Sequence, residues 1–165
     1  MRRRALLTLM LWLPLTAACG RVPPLDHAHP SADAAVRAVL DALAARDTVA
    51  LEALVLSEQE FKDHVWPHLP AARPERNLPF SYVWGDLHQK SQQSLSRTVR
   101  EFGGRRLRLD RVSFSGETAY PGAVVHREAV ATVTDEKGYT ADVRVCGSLI
   151  EQGGRWKVFS YVVGD

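Results

Sequence analysis

Residues 139–163 read YTADVRVCGSLIEQGGRWKVFSYVV, two runs rich in Val and aromatic residues, Tyr139 to Ile150 and Trp156 to Val163, either side of the turn Gln152 to Gly154. Strand-forming residues flanking paired glycines predict an antiparallel hairpin. The pattern continues upstream through Leu107 to Phe114 and Ala123 to Thr134, with Ser115-Gly116 and Asp135 to Gly138 as the separators. Four consecutive antiparallel strands are therefore expected.

The first half of the chain has a different period. Val36, Val39, Leu40 and Leu43 fall at i, i+3, i+4 and i+7, which predicts an amphipathic helix capped by Ser31. Asp47 or Thr48 can cap a short second helix with the stripe Leu51, Leu54 and Val55. Ser57-Glu58-Gln59-Glu60 has the form of a capping box and predicts a third, through Phe61 and Val65. Pro67, Pro70, Pro74 and Pro79 predict a long loop, because each removes a donor and pushes its predecessor toward extended geometry. Leu87, Leu95, Val99 and Phe102 predict a fourth helix from about Asp86 to Phe102, with the small Ser91 on the same face and Gly103-Gly104 ending it. Helices followed by strands predict an α+β domain, N-terminal helices packed on a curved antiparallel sheet.

Strand alternation sorts the candidate chemistry. Tyr139, Ala141, Val143, Val145, Gly147 and Leu149 are expected on one apolar face, as are Val125, Ala129, Ala131 and Val133, leaving His126, Glu128, Asp142, Arg144, Cys146 and Ser148 outward. The inward face then offers no strand carboxylate. Arg127 shares the face of Val125, where it either meets an anionic partner or extends into solvent. The run Tyr82-Val83-Trp84-Gly85-Asp86-Leu87-His88 gathers Tyr82, Trp84, Asp86 and His88 before the fourth helix, either as the lining of a ligand-binding mouth or as a core plug and a helix cap. His64 and His68 have i, i+4 spacing, but Pro67 interrupts them and no third ligand is evident, so no metal site and no cofactor are expected.

The N-terminus carries an address. Arg2, Arg3 and Arg4 precede the apolar run Ala5 to Leu15, which is about signal-peptide length and too short to span a bilayer. Leu15-Thr16-Ala17-Ala18-Cys19 resembles the lipobox of bacterial lipoproteins. The resemblance implies cleavage after residue 18 and a diacylglycerol thioether on Cys19. It also implies residence in the cell envelope, at the periplasmic face of the outer membrane in a two-membrane cell, because Gly20 stands where a retention Asp would. Two or more acyl chains hold a protein stably at about 0.8 kcal/mol per buried methylene. Without its three leading arginines the chain has 18 basic and 19 acidic residues, a net charge of −1, which excludes a basic footprint for nucleic acid. Cys146 is then the one remaining cysteine, so no intramolecular disulfide is expected. The organisation expected is a signal peptide over 1–18, the lipidated Cys19 with a mobile Pro- and Gly-containing spacer to residue 30, and a single domain over 31–165.

From Ser31 to Asp165 the order of elements resembles the NTF2-like, cystatin-like or SnoaL-type superfamily of cone-shaped domains, down to the closing Gly153-Gly154-Arg155-Trp156-Lys157-Val158. The resemblance implies a cone, and its members include isomerases, cyclases and non-catalytic binding domains. Three functions stay open. One is a non-catalytic envelope domain binding a small apolar ligand or a protein partner. Another is an enzyme resembling ketosteroid isomerases, with Asp86 or His88 as base and Tyr82 as hydrogen-bond donor. The third is a homodimer paired through the face carrying His126, Glu128, Arg144 and Cys146.

Overall fold

The computed structural model describes residues 23–76 and 78–163, so the expected signal peptide and lipidation site, Cys19, lie outside the described residues. Helix α1 (Ala32–Ala45) starts at Ser31, whose hydroxyl accepts from the Ala34 N–H, and α2 (Thr48–Leu54) starts at Asp47, whose carboxylate accepts from Ala50. The capping box forms at the head of α3 (Glu58–His64), with Ser57 and Glu60 each bonding the other's backbone N–H. Two short 3-10 turns, Trp66–His68 and Pro70–Ala72, place their prolines in the first turn, where the missing donor costs nothing. Helix α4 (Phe80–Phe102) begins six residues before the expected Asp86. Phe80, Val83, Trp84 and Leu87 continue its apolar stripe and pack on a core, which outweighs the poor helix propensity of Gly85. No helix among the described residues is long and apolar enough to cross a membrane.

The strands are β1 (Leu107–Ser113), β2 (Gly116–Tyr120), β3 (Ala123–Arg127), β4 (Val130–Asp135), β5 (Thr140–Val143), β6 (Ser148–Gln152) and β7 (Arg155–Ser160). They make two antiparallel sheets, ordered β1-β4-β5 and β2-β3-β6-β7. Register shows these to be the halves of one bent meander, since β1-β2, β3-β4 and β5-β6 each pair with their neighbours in both sheets. The first expected strand thus runs on past Ser115-Gly116 to a turn at Pro121-Gly122.

All three long strands break at the same level. Glu128 sits in the left-handed region at φ 53°, an uncommon position for a side-chain-bearing residue. It reverses the alternation, so Val125 joins one core with Ala123, Ile150, Phe61 and Leu56, while Ala129, Ala131 and Val133 join another with α1. The single apolar face expected from Val125 to Val133 is corrected on this ground. Opposite the bulge, Val145 and the adjacent Cys146 are both buried in the α1 core, which removes Cys146 from the outward face it was expected to share with Arg144. Helix α4 serves both cores, through Leu95 and Phe102 in the first and Phe80 to Leu87 in the second. Ser91 makes the close crossing at the end of β7 possible, and its hydroxyl accepts from the Tyr161 N–H at 3.0 Å.

The spacer is also corrected, because residues 23–30 dock. Leu25 is buried in the second core, and the His29 backbone exchanges two hydrogen bonds with Trp156, at 2.7 and 2.8 Å. Val55 and Leu56 meet β7 at Val158. The exposed edge of β7 is covered by these two segments, which blunts a site of edge-to-edge aggregation.

Gly147 lies where a Cβ would come within 1.7 Å of the Val162 carbonyl oxygen, a backbone atom that no rotamer change can move. Gly147→Ala is expected to destabilise the fold by about 3 kcal/mol, the upper end of overpacking costs, measured by urea unfolding.

Candidate functional site

The residues that organise the candidate cleft are not those the sequence singled out. Alternation along β7 sends Trp156 and Val158 to the α1 core and Lys157 to the other side, toward α3. There the Lys157 ammonium meets Glu60, at 3.0 Å from Oε1 and 2.9 Å from Oε2, and the two side chains are 3% and 7% exposed. Oε1 also accepts from the Asp26 N–H at 2.8 Å, and Oε2 from the Ser57 N–H at 2.7 Å. Each carboxylate oxygen therefore holds two donors, the arrangement a buried charge needs. Burial pushes the Glu60 carboxyl up, but the Ser57 N–H and the Lys157 ammonium together outweigh it and hold the group below its ordinary value of 4.5.

This pair forms one side of an open cleft of about 780 Å³. Its other walls come from α2 and α3 through Glu52, Ser57 and Glu58, from α4 through Trp84, His88 and Gln92, and from residues 26 and 27. Trp84 and His88 lie one helical turn apart with their rings 5.4 Å apart and 28° from parallel, and Phe61 meets the Trp84 ring at 5.4 Å.

Two of the five ligand-binding candidates, Trp84 and His88, are thus brought together at the cleft. The other three lie apart from them. Tyr82 is 68% exposed, Asp86 is exposed and bonds Lys90 one turn along α4 at 2.7 Å, and Arg127 is exposed at the kink of the meander beside Gly116. Asp86 is mid-helix and not a cap. The geometry does not unite Tyr82, Asp86 and His88 around one point.

On the expected pairing face, Cys146 is buried while Glu128 and Arg144 stay exposed. Burial pushes the Cys146 thiol up to about 12, and His126 packs against both Phe114 and Trp156, with ring centroids 5.1 and 4.5 Å away. Glu128 and Arg144 form an ion pair across the kink at 3.6 Å. His64 is buried against Gln152 whereas His68 stacks on Tyr120, so the i, i+4 pair shares no ligand position. Among the described residues no group of three His, Cys, Asp or Glu could hold a metal.

Chemically, Glu60 and Lys157 are paired with one another, and protonating Glu60 would weaken both this ion pair and its bond to the Ser57 N–H in the α3 cap. His88, Gln92, Ser57 and the acidic rim of Asp26, Glu52 and Glu58 supply hydrogen-bonding groups around an apolar floor of Val55, Leu56 and Trp84. Half of the pair was readable, since Glu60 belongs to the capping box. Lys157 sits inside the closing-strand motif, and its alternation with Trp156 and Val158 was the one signal that it turns away from the α1 core. No family model, no curated protein and no solved structure matches this chain.

Lys157→Met is expected to destabilise the chain by about 3–5 kcal/mol at neutral pH, because it strands the Glu60 charge in the interior. Adding Glu60→Gln should recover part of that loss in a double-mutant cycle of urea unfolding. The lowered Glu60 value means its contribution is complete above 4.5 and is lost as pH falls below that toward the folded value. Wild-type stability should therefore drop over that acid range more steeply than that of the double variant.

Proposed function

We propose that this chain is a lipid-anchored protein of the cell envelope, whose NTF2-like cone binds a small, largely apolar ligand without transforming it. The anchor reading rests on the basic, apolar and small-residue series that ends at Cys19. The cone reading rests on a sharply bent four-stranded meander with α1 packed on it and helices preceding the strands.

The observation that carries the binding reading is the 780 Å³ cleft, within the size range of small-molecule sites, whose buried acid and base are paired with each other. A ligand with an apolar body would rest against Trp84, Val55 and Leu56. A hydrogen-bond-donating or cationic end would face the carboxylates of Asp26, Glu52 and Glu58.

Native mass spectrometry of the chain released from its own envelope tests both parts. The expected outcome is a covalent lipid mass that Cys19→Ala removes, together with a non-covalent small molecule that His88→Ala with Gln92→Ala no longer retains. A chain without lipid would overturn the anchor. A lipidated but empty chain would overturn the ligand, and turnover lost with His88→Ala would replace binding by catalysis.

A further inference from the structure

Residues 23–30 cross the domain as a strap held by the buried Leu25, by the Asp26 N–H on Glu60, by Arg155 on the Ala28 carbonyl, and at two further places that each involve a histidine. At the first, the Gln152 amide makes three contacts. Its oxygen accepts from the Leu25 N–H at 3.2 Å, and its nitrogen donates to the Pro23 carbonyl at 3.4 Å and to Nδ1 of His64 at 3.2 Å. A backbone N–H can only donate, so Leu25 fixes the amide oxygen on its own side and leaves the NH2 group facing the imidazole. Nδ1 of His64 must then accept, which requires the neutral ring protonated on Nε2. A proton on Nδ1 would set one donor against another. Turning the amide over relieves that contact only by opposing NH2 to the Leu25 N–H and oxygen to the Pro23 carbonyl. Protonation of His64 therefore opposes docking of the strap at this contact.

The second place is His29, whose backbone pairs with Trp156 and whose Nε2 is buried without a hydrogen-bond partner. A charged ring there would bury a cation whose Nε2–H has no acceptor.

We infer that residues 23–30 form an acid-released strap, in which protonation of His64 and His29 frees the segment from β6 and β7. Asp26 and His27 line the cleft, so release removes one of its walls. It also adds eight residues, or about 27 Å of reach, to the connection toward Cys19. Only this lengthening of a tether rests on the lipid-anchor reading.

The surroundings of both rings favour their neutral forms. Desolvation lowers His64 and prevails over Glu60 and Asp63 of α3, which act in the opposite direction. From the other elements it faces the neutral Gln152 of β6, while Lys157 of β7 neutralises Glu60. Desolvation also lowers His29, followed by the charges of Arg155, His27 and Lys157. The docked strap thus binds fewer protons than the released one. Docking is complete above the ordinary histidine value of 6.5 and is lost as pH falls below it toward the lowered values.

Hydrogen exchange of the full chain, corrected for the intrinsic pH dependence of amide exchange, reads this directly. Between about pH 7.5 and about pH 5, protection of peptides covering 23–30 should fall about tenfold or more while β3 changes by less than about twofold. His64→Asn keeps an acceptor near the Nδ1 position, and together with His29→Gln it should hold strap protection constant over the same range. The inference is overturned if strap protection stays constant in the wild type, falls in step with β3, or falls equally in the double variant. Should the double variant fail to fold, the wild-type contrast between strap and β3 decides alone.

Discussion

Three parts of the chain meet at the Glu60 carboxylate, and the cleft exists because they do. Its oxygens close the cap of α3, take the N–H of Asp26 in the strap, and hold Lys157 from the last strand. A buried carboxylate is unfavourable unless each lone pair finds a donor, and here two of the donors, the Asp26 N–H and the Lys157 ammonium, come from segments far apart in sequence. The interaction therefore acts as a junction. It sets the distance between α3 and β7, and with it the separation of the walls that carry Trp84 and His88 on one side and residues 26 and 27 on the other.

The second constraint is the fold line across the meander. With Glu128 in the left-handed region and the breaks opposite it, each long strand can serve two cores with one apolar pattern. The β1-β4-β5 half covers α1 on one face and on the other carries an exposed polar ladder, in which Thr132 links Arg111 to Asp142. The β2-β3-β6-β7 half has apolar residues in both cores. Lys157 is tolerable in that second layer because Glu60 is there to meet it.

Much of the local structure was legible in the chain. Ser31, Asp47 and the Ser57 to Glu60 box announced three helix starts, since a cap is a contact between near neighbours and needs no tertiary context. The hairpin at Gly153-Gly154 and the strand content of the second half were legible for the same reason. Features set by contacts between distant segments were not. Proline density suggested a loop up to Asp86, but the packing of Phe80 and Trp84 on Phe61 and its neighbours carried the helix back to residue 80. Pro23 to Pro30 looked like a free spacer because its partners, Gln152, Trp156 and Glu60, are 34 to 129 positions away.

The candidate site divides along the same line. Trp84 and His88 could be named because aromatic, carboxylate and imidazole groups cluster within seven consecutive residues, 82–88. The grouping of Tyr82, Asp86 and Arg127 with them failed because side-chain direction around a helix, and across a bulge, depends on where the element begins and breaks. The sequence by itself determined the α+β order of elements, the helix caps and the hairpin turns, all of which rest on interactions within a few residues. Only the tertiary structure decided the two-core bend, the Glu60–Lys157 junction and the docking of the strap, because the free energy of burying a charge or a leucine depends on which distant groups arrive to receive it.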